Sequence, residues 1–293
     1  MPMVHQLQVI RHIQQLRAAI RQARAKDSTL RVGFVPTMGY LHEGHASLLR
    51  AARQQCDLVV LSIFVNPLQF GPNEDLSRYP RDEQRDLALA EAEKADIVFL
   101  PSVEEMYPTP TQTVVSVSGV TERLCGESRP GHFDGVATVV SKLFHMVQPD
   151  AAYFGQKDAQ QVAVIQQMVQ DLNIPVQIVP CPIVREADGL ALSSRNVYLE
   201  PEQRRQALVL SSSLKLAESL VAESKGAIDV SELHKAIIEH IRQSPLAEID
   251  YVEIVAYPTL QPVARLRDAS SVLIALAVKF GKTRLIDNTL ISF

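Results

Sequence analysis

Four polar clusters stand out because each follows an apolar run and leads into a helical pattern or a turn. The first is Pro36-Thr37-Met38-Gly39-Tyr40-Leu41-His42-Glu43-Gly44-His45. Gly39 and Gly44 allow backbone to approach a ligand closely, and the helix that follows offers unpaired N–H groups to an anion. His42 and His45 can add donors to the same phosphates. An isolated H-x-x-H reads more simply as two surface histidines in a tight turn. Its place between a strand and a helix turns the reading toward nucleotide binding. The block has neither the lysine of a P-loop nor the spacing of a dinucleotide fingerprint. A zinc site on His42 and His45 would need further ligands, and no neighbour supplies them at a suitable spacing.

The second cluster pairs Asn66 and Gln69, neutral groups suited to the hydroxyl and carboxylate oxygens of a small polar substrate. Taken alone, they read as an ordinary polar loop. Tyr79-Pro80-Arg81 follows, and then the acidic start of a helix with Asp82, Glu83 and Asp86. Acids in a first turn complement the helix dipole; Asp86 is also the candidate contact for Mg²⁺. The third cluster is Gly155-Gln156-Lys157-Asp158-Ala159-Gln160-Gln161. Lys157 suits a phosphate, and Asp158 suits ribose hydroxyls or a helix cap. A cap does not explain a lysine at the end of a buried strand. The fourth runs from Val184 to Asn196 and contains Gly189, Leu192, Ser193, Ser194 and Arg195. Two serines and an arginine can clamp a triphosphate and offset charge on departing pyrophosphate. Alone, S-S-R-N reads as a cap or turn. A loop in that place can also act as a lid. Arg129–Gly135 adds one more polar turn before a helix.

These residue types suit ATP-dependent activation of a small carboxylate as an acyl-adenylate. A carboxylate with a pKa of about 4 is already ionised at neutral pH, so the first step needs no general base. What it needs is two anions brought together and phosphate charge stabilised, which is work for Lys, Arg, His and Mg²⁺. No obvious acid–base dyad appears among the clusters.

The elements that must hold these clusters follow from hydrophobic patterning. Candidate strands are 31–35, 58–65, 96–100, 151–154 and 176–179, nearly continuous in apolar residues and so suited to burial on both faces. Helical spacing occupies 45–55, 81–94, 135–147 and 158–172. Strand and helix in alternation predict an α/β fold with a doubly wound parallel sheet, whose ligands lie at the carboxyl ends of the strands. Pro180-Cys181-Pro182 breaks regular structure, which predicts domains at 1–183 and 184–293. The second reads as a smaller α+β domain: helices at 202–224 and 230–242, then strands at 251–256, 272–280 and 284–292. Tyr107–Thr113 reads as a surface loop.

Bulk properties narrow the classes of function. With 293 residues, 46% of them apolar and 21% charged, the chain can bury a sizeable core. A net charge of −4 gives no global field toward nucleic acid or an anionic membrane, so any anion site must build its positive charge locally. No apolar run reaches the roughly 18 residues of a membrane span. Val4, Leu7, Ile10, Ile13, Leu16 and Ile20 fall three or four apart and predict an amphipathic helix rather than a signal peptide. Cys56, Cys125 and Cys181 suggest no disulfide framework, and a cytoplasmic location follows.

P-T-M-G-x-L-H-x-G-H, F-V-N-P-x-Q-F, Y-P-R, R-P-G-H-F-x-G-V, G-x-K-D-x-Q-Q and D-G-L-A-L-S-S-R-N, in this order, resemble the pantoate–β-alanine ligase (pantothenate synthetase, AMP-forming) family. The likeness runs from about residue 5 to Leu285–Asn288. It implies a Rossmann-like nucleotidyltransferase fold and a homodimer. It further implies condensation of pantoate with β-alanine to pantothenate, using Mg·ATP and passing through pantoyl adenylate. Carried over position by position, the resemblance puts His42, His45, Lys157, Ser193, Ser194 and Arg195 in the catalytic set. Pro36, Thr37, Met38, Gly39, Gly155, Asp158, Val184 and Leu192 join them around ATP. Gln69, Gln161 and Met38 take pantoate, and Asn66, Tyr79 and Arg129 take the β-alanine or outer pocket. Gln156 stands where the family more often has Glu, and R-D-E-Q-R-D after Tyr79 leaves Asp86 as the magnesium choice. Rival readings are another nucleotidyltransferase, either a tRNA synthetase relative or a cofactor adenylyltransferase, and a non-catalytic nucleotide-binding module. The first lacks a basic tRNA-binding surface, the second does not require the Gln69/Gln161 pair, and the third would bind ATP without pyrophosphate exchange.

Overall fold

The computed structural model describes residues 6–72 and 74–293. In chain order the first part holds β1 (Gln8–Ile10), α1 (Ile13–Lys26), β2 (Val32–Thr37), α2 (Glu43–Gln55), β3 (Leu58–Ile63), α3 (Glu83–Ala92) and β4 (Ile97–Phe99). There follow α4 (Val103–Met106), α5 (Cys125–Ser128), α6 (His132–Val147), β5 (Ala151–Gly155), α7 (Ala159–Asp171) and β6 (Gln177–Cys181). The six strands form one sheet in the order β1-β4-β3-β2-β5-β6, and every pairing is parallel. This is the doubly wound sheet that the alternating pattern predicts. Its central strands carry Val32, Phe34, Val35, Val59, Val60, Leu61 and Val98 with no exposed surface, as two-sided burial requires. α6 is buried almost all round, from Phe133 to Val147.

Two expectations for this part of the chain change. Val4 lies outside the described residues, and the helix predicted to include Leu7 and Ile10 begins only at Ile13. Gln8–Ile10 instead pairs with Ile97–Phe99 as an edge strand. That pairing is non-local, and helical spacing across 10 and 13 masks it. The break expected at Pro180 falls two residues later, at Pro182, because β6 runs through Cys181. Pro180 is tolerated because β6 is an edge strand, where a missing N–H leaves no ladder bond unmade on the open side.

The chain packs as two compact units. The first takes the chain up to Val117 with Arg129–Gln156 and Val164–Pro182. The second takes Ile183–Phe293 and also two short stretches, Ser118–Ser128 and Lys157–Ala163. It contains α8 (Pro201–Gln206), α9 (Val209–Glu223), α10 (Val230–Ile241) and an antiparallel sheet β7-β8-β9 (Ala247–Ala256, Ser271–Phe280, Thr283–Ser292). The single helix expected over 202–224 is two. Ala207 and Leu208 at the joint keep near-helical dihedrals and carry no glycine or proline to signal it. The core of this unit is Leu210, Leu214, Leu233, Ile237 and Ile241 against Ile274, Leu276 and Val278. No helix among the described residues is long and apolar enough to cross a membrane. All three cysteines are free thiols.

Candidate active site

β2 keeps register with β3 through Pro36 and Thr37 but pairs with β5 only at Gly33 and Phe34. Past Phe34 the two central strands therefore part at the point where strand order reverses, which is where doubly wound sheets bind ligands. The loop leaving β2 is tied down on both sides. The Thr37 hydroxyl donates to Ser62 O (2.8 Å) and accepts from Gly39 N (3.2 Å). Gly39 has φ +83°, and a Cβ there would meet Ile63 Cγ2 at 2.9 Å, so glycine is required twice over.

Asp86 is the expected magnesium contact, and the geometry gives it another task. Its Oδ2 accepts from Tyr40 N (2.8 Å) and its Oδ1 from Leu41 N (2.6 Å), and the residue is 2% exposed. Burial pushes its pKa above the ordinary value, outweighing the two amides. Asp86 thus pins the loop from α3. Its neighbour Asp82 caps α3 by accepting from Arg85 N, and Glu83 pairs with Arg11, so the acidic cluster is structural.

His42 and His45 open α2 as a reciprocal capping box. His42 Nδ1 accepts from Gly44 N (3.1 Å), and His45 Nδ1 accepts from His42 N (3.2 Å). With Nδ1 an acceptor in both, each neutral ring carries its proton on Nε2. The backbone therefore sets both tautomers, and each ring is an Nε2–H donor at the amino end of a 13-residue helix. The ring centroids lie 4.1 Å apart.

Asn66 and Gln69 bracket a 3₁₀ turn, Pro67–Gln69. Asn66 is 1% exposed and uses all four of its hydrogen-bonding capacities. It accepts from Leu68 N (3.3 Å) and Tyr107 Oη (2.9 Å) and donates to Gln69 Oε1 (3.2 Å) and Gly135 O (3.1 Å). These partners make Asn66, the expected outer-pocket residue, a brace for Gln69. Gln69 Nε2 lies 3.1 Å from Met38 Sδ, so Gln69 and the β2 loop meet. Arg129 is likewise committed. It forks onto Glu74 (2.7 and 2.6 Å), donates to Gln69 O (3.3 Å) and reaches His132 Nε2 (3.0 Å). Arginine only donates, so His132 Nε2 accepts, and Nδ1–H donates to Gln69 O at 2.8 Å. Burial alone would raise Glu74, but Arg129 outweighs it and holds this carboxyl below its ordinary value. Tyr79 is buried, edge-on to Phe70. Gly135 lets α6 abut the turn: a Cβ there would fall 2.3 Å from Leu68 O and 2.7 Å from Gln69 Cα.

The remaining expected residues belong to the second unit or lead into it. Gly155 ends β5, and Gln156–Asp158 form a 3₁₀ turn in which Lys157 Nζ lies 3.5 Å from Asp158 Oδ2. The Q-Q pair divides its labour. Gln160 is buried and staples the Ser118–Ser128 stretch, donating to Val120 O (2.9 Å) and Arg123 O (2.8 Å) and accepting from Cys125 N (2.9 Å). Gln161 is only half-buried. Val184 and Leu192 close a short hairpin (Leu192 N to Val184 O, 3.0 Å) that turns at Gly189, φ +102°. Ser193 accepts from Arg195 N (3.2 Å) and caps the 3₁₀ turn Ser194–Tyr198, where Ser194 is buried.

Patterning did not single out Glu74, His132 or Gln160. It noted Asp287 and Asn288 only as the end of a resemblance. Asp287 forks onto Arg185 (2.6 and 2.8 Å), and Asn288 Nδ2 donates to Lys157 O (2.9 Å). Among the described residues no cluster of three or more acidic, histidine or cysteine side chains could hold a metal ion. Each unit by itself carries donors: the first two imidazole N–H groups, the second a lysine, an arginine and serine hydroxyls. Either set suits phosphates.

The family model described as pantoate-beta-alanine ligase matches residues 8–290. A pantothenate synthetase from Acetivibrio thermocellus is 58% identical over 97% of this chain and 99% of its own length. A crystal structure of pantothenate synthetase from Thermus thermophilus superimposes with a TM-score of 0.89 at 49% identity, over 96% of this chain and 98% of its own. A pantoate-beta-alanine ligase from Francisella tularensis, complexed with beta-gamma ATP and beta-alanine, gives a TM-score of 0.77 at 33% identity, over 97% and 98% of the two chains.

Proposed function

The chain belongs to the pantoate-beta-alanine ligase family, and on that premise we propose that it condenses pantoate with β-alanine at the expense of ATP through a pantoyl adenylate. A pantoate carboxylate oxygen attacks the α-phosphorus, the bond to the β-phosphate oxygen breaks, and pyrophosphate leaves. The β-alanine amine then attacks the acyl carbon, the bond to the AMP oxygen breaks, and the amine gives up a proton. The observation that carries this reading is the His42/His45 capping box, which turns two Nε2–H donors into fixed features of an anion-binding helix end.

In this reading His42 and His45 meet ATP phosphates, and Pro36, Thr37, Met38, Gly39 and Gly155 shape the nucleotide loop. Lys157, Ser193, Ser194 and Arg195 hold phosphates, with Val184 and Leu192 behind them, and Asp158 meets the ribose. Gln69 and Gln161 hold pantoate. Asn66 and Arg129 act on Gln69 from behind, leaving Tyr79 for the outer pocket. Magnesium enters with ATP, whose phosphates supply anionic ligands; Asp86, with both oxygens on backbone amides, does not fit as its holder. A homodimer in the cytoplasm completes the proposal, and sedimentation at micromolar protein checks the first of these. The direct test is exchange of labelled pyrophosphate into ATP with Mg²⁺ and without β-alanine. Exchange that requires pantoate is expected. A folded, ATP-binding chain without it would overturn the adenylate.

A further inference from the structure

We infer that Asp287 and Asn288, consecutive residues of β9, are positioning residues that hold the Lys157 turn and the Val184–Leu192 hairpin in one fixed relation. The inference rests on the ligase reading above. Successive side chains of a strand point to opposite faces, and β9 is an edge strand. Core packing would bury one of the two at most, yet Asp287 is 2% and Asn288 4% exposed, and both are polar. Each finds its partner outside the sheet. Asp287 takes the Arg185 guanidinium in a two-point fork (2.6 and 2.8 Å), which fixes angle as well as distance. Arg185 Nη1 also donates to Gly189 O (3.1 Å), at the tip of the hairpin that leads into Ser193–Arg195. Asp287 Oδ1 accepts from Asn288 N (2.8 Å), and Asn288 Nδ2 donates to Lys157 O (2.9 Å).

A continuous hydrogen-bonded path therefore joins Gly189, Arg185, Asp287, Asn288 and Lys157, all within the second unit. β9 also packs against the Ser194–Tyr198 turn. Neutralising Arg185 would account for Asp287 alone. It does not account for a neighbouring asparagine that anchors the main chain of the lysine itself. The path makes the separation of two cationic groups, Lys157 and Arg195, a property of one strand. Both groups act on phosphates that separate as pyrophosphate leaves, so a shift of about an ångström in either should cost roughly a hundredfold in rate.

The test is a double-mutant cycle on pantoate-dependent pyrophosphate exchange with Asn288→Ala, Lys157→Ala and the pair. Asn288→Ala is expected to slow exchange at saturating ATP by roughly tenfold to a hundredfold while the thermal unfolding midpoint moves little. In the Lys157→Ala background it should then cost several-fold less than in the parent, because the charge that Asn288 positions is gone and only the rest of the turn is left to hold. Losses that multiply, or an Asn288→Ala variant as fast as the parent, would overturn the inference. Should that variant fail to fold, Asn288→Leu, close in size and uncharged but without the donor, carries the same comparison. A parent chain with no pantoate-dependent exchange would defeat the ligase reading instead, so the two failures are distinguishable.

Discussion

In the loop after β2, the histidines are held by amides two and three residues away, while Asp86 reaches in to the loop backbone from 45 residues along the chain. The Lys157 turn and the Val184–Leu192 hairpin are held from 131 and 102 residues away. Both regions are proposed to meet phosphate, yet one carries its own orientation in a ten-residue block and the other borrows it from a distant strand. A locally oriented donor should lose its function without the fold noticing. A remotely oriented one should be vulnerable at places that never touch substrate.

The largest effect is expected at Lys157. Lys157→Ala should slow adenylate formation by roughly 10²- to 10³-fold with unfolding unchanged, since it deletes one cation from a site that works by charge; pyrophosphate exchange and a melting curve measure the two. At His42 the two functions of one ring can be separated. His42→Asn keeps a capping acceptor and should retain stability while exchange drops about tenfold or more, whereas His42→Ala should also lose about 1 kcal/mol of stability. Equal melting points for the two variants would break the claim that the ring is a cap.

Asp86→Asn sharpens the contrast, because it strikes the loop's long-range tie. An amide can accept from only one of the two backbone N–H groups in that geometry, so a loss of about 1–3 kcal/mol in denaturant unfolding is expected. The pH trend has a definite sign. Burial raises Asp86 above 3.8, so just above that pH the native state binds more protons than the unfolded chain. Parent stability should therefore decline relative to the variant as pH rises through the folded pKa. Glu74 behaves in the opposite sense and should give the smallest effect. Burial would raise it, but Arg129 leaves it below 4.5, so its contribution is present above that pH and fades as pH falls through the folded value. Glu74→Gln should be less stable than the parent at neutral pH, with the gap closing in acid.

The parallel sheet was legible because apolar runs and helical periods alternate along the chain, and the donor loops were legible because they follow those runs directly. β1 was not, since three residues carry too little period and owe their conformation to β4. The internal partners of Asn66, Asp86 and Arg129 were not legible for one shared reason. A polar residue in a loop looks the same in sequence whether it faces a ligand or another loop, and only the count of its satisfied groups tells the two apart. Side-chain partners show what each of the three holds in place.

The close approach of Gly135 to Leu68 and Gln69 bears on how far this enzyme's acid substrate could be altered. With a helix backbone already in contact with the turn that carries Gln69, that turn cannot retreat, and under the proposed role of Gln69 neither can that wall of the acid pocket. A bulkier acid would have to be accommodated by shortening side chains, since the main chain has no slack to give. Libraries aimed at new acids should therefore leave residues 66–69 and 135 untouched and vary the side chains that face them.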